Sequence, residues 1–376
     1  MLLGLGSMAT AQEVLKVGMV VPLTGQLAAI GKQAEAGATL YIKTHGDIVA
    51  GRRIQLIVRD DAGVPDAAKR IAQELIVGQK AAVIAAGITP SAFAIAPLAT
   101  EAKIPEVAVV SGTSSLTERS PYVVRTSWTL GQQSEVMAKW AAQNGSKKTV
   151  VIVSDWAPGA EAAAVFTDFF QKAGGETLET IKVPLSNPDF SPFLQRARDT
   201  HADTFFVFVP TGQAGLFAKQ FIERGLDKSG IKLIGTGDIT DDNDLPTMGD
   251  AMIGTTTAGF YSALHPSAMN KAYVADFEKA NAAMRPNYVS VSAYDGMHLI
   301  YEALKKTNGS SKGDELVAAM KGLAWESPRG PMSIDPETRD IIQNIYIRKV
   351  EKVGGALYNV ETATYEAVKD PSKLKK

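Results

Sequence analysis

A chain of 376 residues has room for two domains at about 150 residues each. Apolar residues make up 45% and charged residues 21%, an ordinary globular balance, so each half can bury a core of its own. Lysine and arginine number 39 against 40 aspartates and glutamates, for a net charge of −1, and cysteine is absent. These counts exclude a generic binder of nucleic acid or anionic lipid, and with it disulfide frameworks, thiolate metal sites and thiol nucleophiles.

The chain opens on Met-Leu-Leu-Gly-Leu-Gly-Ser-Met, followed by Ala9-Thr10-Ala11. A short apolar run ending in small-x-small reads as the end of a secretory signal with its basic start missing, so residues 1–11 are expected to be a signal remnant and the mature protein to be exported. Gly4-x-Gly6-x-x-Ala9 has the outline of a dinucleotide fingerprint, but it follows no strand and opens no βαβ unit. No later stretch approaches the roughly 18 apolar residues of a membrane span.

From Leu15 onward, apolar runs alternate with segments of helical period. Leu15–Val21 reads as a buried strand, and Gly31 to His45 sets Ala34, Ala38, Tyr41 and Ile42 on one helical face. Arg53–Arg59 alternates as a second strand, Pro65-Asp66 starts a helix, and Ala82–Ala85 and Glu106–Val110 add two strands. The rhythm restarts beyond residue 128 with strands at Thr149–Ser154, Thr177–Val183, Thr204–Val209 and Lys232–Ile234, and helices at Gly159–Ala173 and Gly212–Arg224. Helical segments Ser267–Ala283 and Val289–Lys306 follow. This order predicts two α/β units, each a parallel sheet flanked by helices. Ligands of such sheets sit beyond the carboxyl ends of the strands. The loops of interest are therefore Pro22–Ile30, Gly87–Ser91, Ser111–Ser115, Asp155–Gly159, Pro210–Gln213 and Gly235–Asp244.

Catalytic signatures are missing from those loops. There is no Gly-x-Ser-x-Gly elbow, no P-loop and no glycine fingerprint after a strand. His45, His201, His265 and His298 are scattered, and metal sites need clustered ligands, so no metal and no cofactor are expected. Asp241-Asp242-Asn243-Asp244 fails the spacing of a calcium loop and reads as capping and a solvated turn. Binding fits better. Gly87, Thr89, Ser111, Gly112, Thr113 and Ser114 make two strand-end loops rich in hydroxyls and backbone N–H groups, which suit a carboxylate, although ordinary turns have the same composition. Trp156 follows directly on a strand and reads either as a stacking surface for a flat ligand or as packing between domains.

The order of these pieces resembles the type I periplasmic binding proteins of ABC transporters, and within them the leucine/isoleucine/valine-binding branch. The resemblance rests on Lys16-Val17-Gly18-x-x-x-Pro22-Leu23-Thr24-Gly25, Gly31 and Arg59-Asp60-Asp61-Ala62-x-x-Pro65-x-x-Ala68, on Ser111-Gly112-Thr113-Ser114 before Tyr122-Val123-Val124-Arg125-Thr126, and on Asp189-Phe190-Ser191-x-x-Leu194 and Asp295-Gly296. It implies two Rossmann-like lobes joined by three strands near Thr126–Thr129, Gly259–Ser262 and Gly330–Asp335. Lobe 1 would comprise residues 12–127 plus 261–331, and lobe 2 residues 128–260 plus 332–376. It also implies a periplasmic monomer that closes on a small ligand and delivers it to an inner-membrane permease.

By position, the loops Ile88–Thr89 and Ser111, Gly112, Thr113 and Ser114 would hold a ligand carboxylate, with Thr113 foremost. Asp238 falls where amino-acid binders place an acid against the ammonium. Other positions depart from the amino-acid pattern: Ile30 replaces an aromatic, Pro158 a tyrosine, and Pro210-Thr211-Gly212 a tyrosine-bearing turn, while Trp156 is added. The expected ligand is therefore a flat aromatic carboxylate, a benzoate or hydroxybenzoate. Trp156 would stack its ring, Trp128, Phe260 or Tyr261 would close the hinge side, and Asp238 would accept from a ring hydroxyl. The alternatives are a branched-chain or other aliphatic amino acid, and, from another class, a ligand sensor or an unrecognised enzyme on the same fold.

Overall fold

The computed structural model describes residues 13–282 and 284–374; the expected signal remnant lies outside them. The first sheet holds β1 (Val14–Val21), β2 (Ile48–Val49), β3 (Arg52–Asp60), β4 (Val83–Ala86), β5 (Glu106–Ala108) and β6 (Val123–Arg125), in the order β2-β3-β1-β4-β5-β6. All its pairings are parallel except the short β2–β3 ladder. Helices α1 (Ala28–His45), α2 (Pro65–Gln73) and α3 (Thr89–Ala102) connect these strands. Val17, Met19, Val83, Ile84 and Val107 are buried, as strands sandwiched between helices must be.

After β6 the chain crosses to α4 (Leu130–Gln143) and builds β7 (Lys148–Ser154), α5 (Ala157–Lys172), β8 (Glu176–Val183), α6 (Ser191–Asp199), β9 (Thr204–Phe208), α7 (Ala214–Glu223), β10 (Lys232–Thr236) and β11 (Thr256–Gly259). Helices α8 (Ala268–Ala280), α9 (Tyr288–Lys306) and α10 (Gly313–Met320) follow, with α8 and α9 packed on α1 and α10 on α9. The chain then returns through β12 (Ala324–Ser327), β13 (Gly330–Ile334), β14 (Ile341–Val353) and β15 (Ala356–Val368). The second sheet runs β12-β13-β14-β11-β10-β9-β7-β8, with β15 paired to β14. Its β8-β7-β9-β10-β11 part is parallel and the remainder antiparallel.

The antiparallel arm runs through the expected boundary at residue 331. Residue 331 lies inside β13, whose ladder with β14 runs from Met332↔Gln343 to Ile334↔Ile341, so strand pairing joins residues 324–331 to the second sheet.

Three buried ion pairs stand where the chain crosses between the sheets. Arg125 meets Asp340 at 2.7 Å, Arg329 meets Asp295 at 2.8 Å, and Arg348 stands 3.6 Å from Asp242. Arg329 also donates to the carbonyls of Thr126 and Ser127 on the first crossing. Such pairs add little net stability over apolar packing, but losing one partner is costly, so they hold these crossings in one register.

Candidate functional site

The carboxyl ends of β1, β4, β5, β7, β9 and β10 converge on a slot between the two lobes. Its walls are Ile30, Ile88, Thr89, Val110, Gly112, Trp128, Leu130, Trp156, Pro158, Phe208, Pro210, Asp238 and Tyr288. Its solvent-accessible volume is about 20 Å³. The lobes touch around it: the Gln26 amide meets Asn187, and Tyr288 at the start of α9 donates to Asp238 beyond β10 at 2.7 Å.

Two aromatic groups wall the slot. On the hinge side Trp128 stacks on Phe260 with centroids 5.5 Å apart and meets Tyr288 edge-on at 4.9 Å. On the second lobe Trp156 lies nearly parallel to Phe208, 6.5 Å away. Trp128 can sit there because residue 112 has no side chain: a Cβ on Gly112 would fall 2.2 Å from Leu130 Cδ2 and 2.9 Å from Trp128 Nε1. Gly159 plays the same part for Trp156, since a Cβ there would lie 2.0 Å from the Ser154 carbonyl oxygen and α5 could not start so close to β7.

The polar groups divide by lobe. On the first, Thr89 opens α3 and Trp128 precedes α4; no side chain caps α3. Buried Thr89 Oγ1, Trp128 Nε1 and, across the slot, Trp156 Nε1 have no hydrogen-bond partner among the described residues. Arg125 shapes this side from behind, donating to the carbonyls of Ser111, Thr113 (2.6 Å) and Trp128 (3.0 Å). On the second lobe, buried Asp238 accepts from Tyr288 and from Thr236 Oγ1 at 2.9 Å. Burial raises its pKa, opposed chiefly by these two bonds and by Arg348. Thr211 Oγ1 lies 2.6 Å from the Tyr288 hydroxyl and 3.0 Å from Asp241, whose carboxyl burial and its acidic neighbours push well above the usual range. Thr211 donates to Asp241 and is hydrogen-bonded to the Tyr288 hydroxyl, and Tyr288 donates to Asp238, so Asp238 is the acceptor at the slot.

Of the residues singled out from sequence, Ile30, Ile88, Thr89, Gly112, Trp128, Trp156, Pro158 and Asp238 come together around the slot. Ser111, Thr113, Ser114, Thr211 and Tyr261 do not line it. The Ser111 hydroxyl is spent on the Gly87 carbonyl at 2.6 Å, tying two strand-end loops together. Thr113 Oγ1 is buried without a partner among the described residues. Ser114 gives both its N–H and its hydroxyl to Glu161. Thr211 acts through Tyr288, and Tyr261 turns its carbonyl to Arg348 while its ring is buried. Val110, Leu130, Phe208 and Tyr288 are lining residues that were not assigned from sequence; Pro210 lines the slot from a loop marked there. All but Tyr288 sit within two residues of strand ends or crossings already marked, so counting one residue further would have found them. Among the described residues no group of three histidines or carboxylates is placed to hold a metal ion, and no helix is long and apolar enough to cross a membrane.

Two facing α/β lobes with an aromatic slot at their strand ends define a ligand-binding receptor. The periplasmic binding protein family model matches residues 14–355, and the chain belongs to that family. It is 41% identical over 373 residues to a Leu/Ile/Val-binding protein homolog of Brucella melitensis, covering 98% of this chain and 95% of that one. An ABC-transporter solute-binding protein of Rhodopseudomonas palustris BisB5, solved with 3,4-dihydroxybenzoic acid, is 61% identical with a TM-score of 0.94 over 96% of this chain and 99% of its own. A second, from Rhodopseudomonas palustris HaA2 with p-hydroxybenzoic acid, is 42% identical with a TM-score of 0.94 over 97% and 100%.

Proposed function

We propose that this chain is the extracytoplasmic receptor of an ABC importer and binds a small aromatic carboxylate, a benzoate bearing one or more ring hydroxyls, in the slot between its lobes. The observation that carries this reading is the polarity of the slot. Indole N–H and threonine O–H donors without protein partners stand among Thr89, Trp128 and Trp156, an acceptor stands at Asp238, and aromatic rings lie between. A carboxylate offers acceptors to the first set and a ring hydroxyl offers a donor to Asp238. Both Rhodopseudomonas palustris proteins named above hold ligands of this kind.

Lobes 1 and 2 close about their three crossings, the ligand leaves unchanged to a permease in the inner membrane, and the receptor works as a monomer in the periplasm. The second reading is an aliphatic amino acid, favoured by Asp238 and by the Brucella relative. An ammonium has three donors to satisfy, and the slot's lining offers it Asp238 and the Tyr288 oxygen, both already bonded. A thermal-shift panel of benzoates, hydroxybenzoates and the twenty amino acids tests the assignment, because a ligand of the native state raises the melting temperature. Stabilisation by hydroxybenzoates, with the compound recovered intact, supports it; stabilisation by leucine or valine alone overturns it.

A further inference from the structure

Ser114 begins the short 3₁₀ turn Ser114–Glu118 on the first lobe, two residues after the lining residue Gly112. Its backbone N–H donates to both carboxylate oxygens of Glu161, at 3.1 and 3.0 Å, and its hydroxyl donates to one of them. Glu161 stands on the second lobe in α5, three residues beyond the lining residue Pro158. Donor and acceptor thus belong to opposite lobes, and the contact forms when the lobes come together. The position that sequence gave to a ligand carboxylate is filled by a carboxylate of the protein itself.

The surroundings supply little positive charge. Arg125 on β6 is committed to Asp340, and Asp370, beyond β15, adds a second negative charge. Lys373 pairs with Glu118 and stands 3.9 Å from Asp340. The charges of α4, Glu135 and Lys139, pair with each other, as do Asp168 and Lys172 on α5; Asp155, just before α5, stands 3.5 Å from Lys182. A carboxylate held here loses water and gains no free cation.

We infer that Glu161 is the closure residue of this receptor, clasping the lobes through Ser114 and taking up a proton from solvent as the cleft shuts on an anionic ligand. The inference rests on the reading of the slot as a carboxylate site that closes by hinge motion. The step balances simply: one solvent proton joins one Glu161 oxygen, no other bond breaks, and the added positive charge offsets the ligand's negative charge. The neutral carboxyl then donates to Ser114 Oγ while its other oxygen still accepts the Ser114 N–H.

Burial pushes Glu161 up to about 7 against the lowering effect of the two Ser114 bonds, with Asp370 raising it and Arg125 lowering it. An open cleft returns it to the ordinary glutamate range, about 4.3. Between those values the closed form binds more protons than the open one, so closure is favoured as pH falls. The effect is complete below the open-state value and is lost as pH rises through 7. Ligand affinity is therefore expected to rise about tenfold from pH 8 to pH 6, with uptake of about half a proton at pH 7.

The experiment is calorimetric titration of the full chain with 4-hydroxybenzoate at pH 6, 7 and 8, repeated at pH 7 in phosphate and in Tris, whose ionisation heats differ. Wild type shows proton uptake. Glu161→Gln, which carries the neutral shape permanently, binds with an affinity that is flat across this range and takes up no proton. Ser114→Ala strips one stabilising donor from the carboxylate and shifts the uptake to higher pH, so the idea stays testable if the glutamine variant folds poorly. Zero uptake by wild type, or uptake persisting in Glu161→Gln, overturns it. If leucine binds in place of 4-hydroxybenzoate, the same titration with leucine separates the two ideas. Uptake lost in Glu161→Gln then sustains the clasp while the aromatic reading falls, and binding of neither ligand sinks both.

Discussion

The Ser111–Thr113 loop and the Gly237–Asp238 turn belong to opposite lobes, and each is backed by a buried arginine. Arg125 gathers the carbonyls of Ser111, Thr113 and Trp128 and pairs with Asp340 at 2.7 Å, whereas Arg348 gathers those of Gly237 and Tyr261 with Asp242 3.6 Å away. The two guanidiniums do similar work, yet the slot ends they support are opposite in character. Carbonyls drawn back onto Arg125 leave donors at the first lobe's end, on Trp128 and Thr89. At the other end the lining residue Asp238 is itself an acceptor. The arginines thus fix loop shape, and the side chains placed beside them fix which end of a ligand goes where.

Breaking the stronger support gives the largest expected effect. Arg125→Met strands Asp340 and three carbonyls in a dry site and is expected to cost about 3–5 kcal/mol, a large share of a domain's stability. Calorimetry should show a melting temperature many degrees below wild type. Arg348→Met is expected to cost less, because its ion pair is longer; equal losses would break the contrast drawn between the two loops. Next in size is Asp238→Asn, which keeps shape and removes charge. Affinity for 4-hydroxybenzoate should fall about 10- to 100-fold, as for loss of a hydrogen bond to a charged group, while affinity for benzoate changes little. Titrations with the two ligands in parallel decide this, and an equal loss for both would remove Asp238 as the reader of the ring hydroxyl.

Strands β1, β4, β7 and β9 were legible as short apolar runs between turn residues, and β3 by its alternation. The β14–β15 hairpin carries a local signal as well: Gly354-Gly355, both at positive φ, join Val353 to its partner Ala356 in a two-residue turn. Site residues at strand ends such as Thr89 and Trp156 followed from the general geometry of parallel sheets, whereas Asp238 came from the resemblance to amino-acid binders. Tyr288 followed from neither, because it reaches Asp238 from the start of α9, fifty residues further along the chain, and no local pattern says which helix start faces the slot. Hydroxyl-rich loops misled for the same reason. Whether Ser111 or Ser114 is free for a ligand depends on Gly87 and Glu161, which approach from elsewhere in the fold. Composition reports that donors are present, and tertiary structure decides which are already taken.

The smallest of these effects sharpens the contrast most. Trp156→Phe keeps an aromatic wall beside Phe208 and removes the unpartnered indole N–H. Trp156 Nε1 is one of three buried donors facing the slot, so its removal alone is expected to cost about 3- to 10-fold. The pattern across ligands carries the information. A donor to the carboxylate serves every benzoate alike, so the loss should be the same for benzoate, 4-hydroxybenzoate and 3,4-dihydroxybenzoate. Asp238→Asn should instead discriminate by ring hydroxylation. If Trp156→Phe also discriminated in that way, the indole would be reading the ring substituents, and the donor end and the acceptor end of the slot would have to be exchanged.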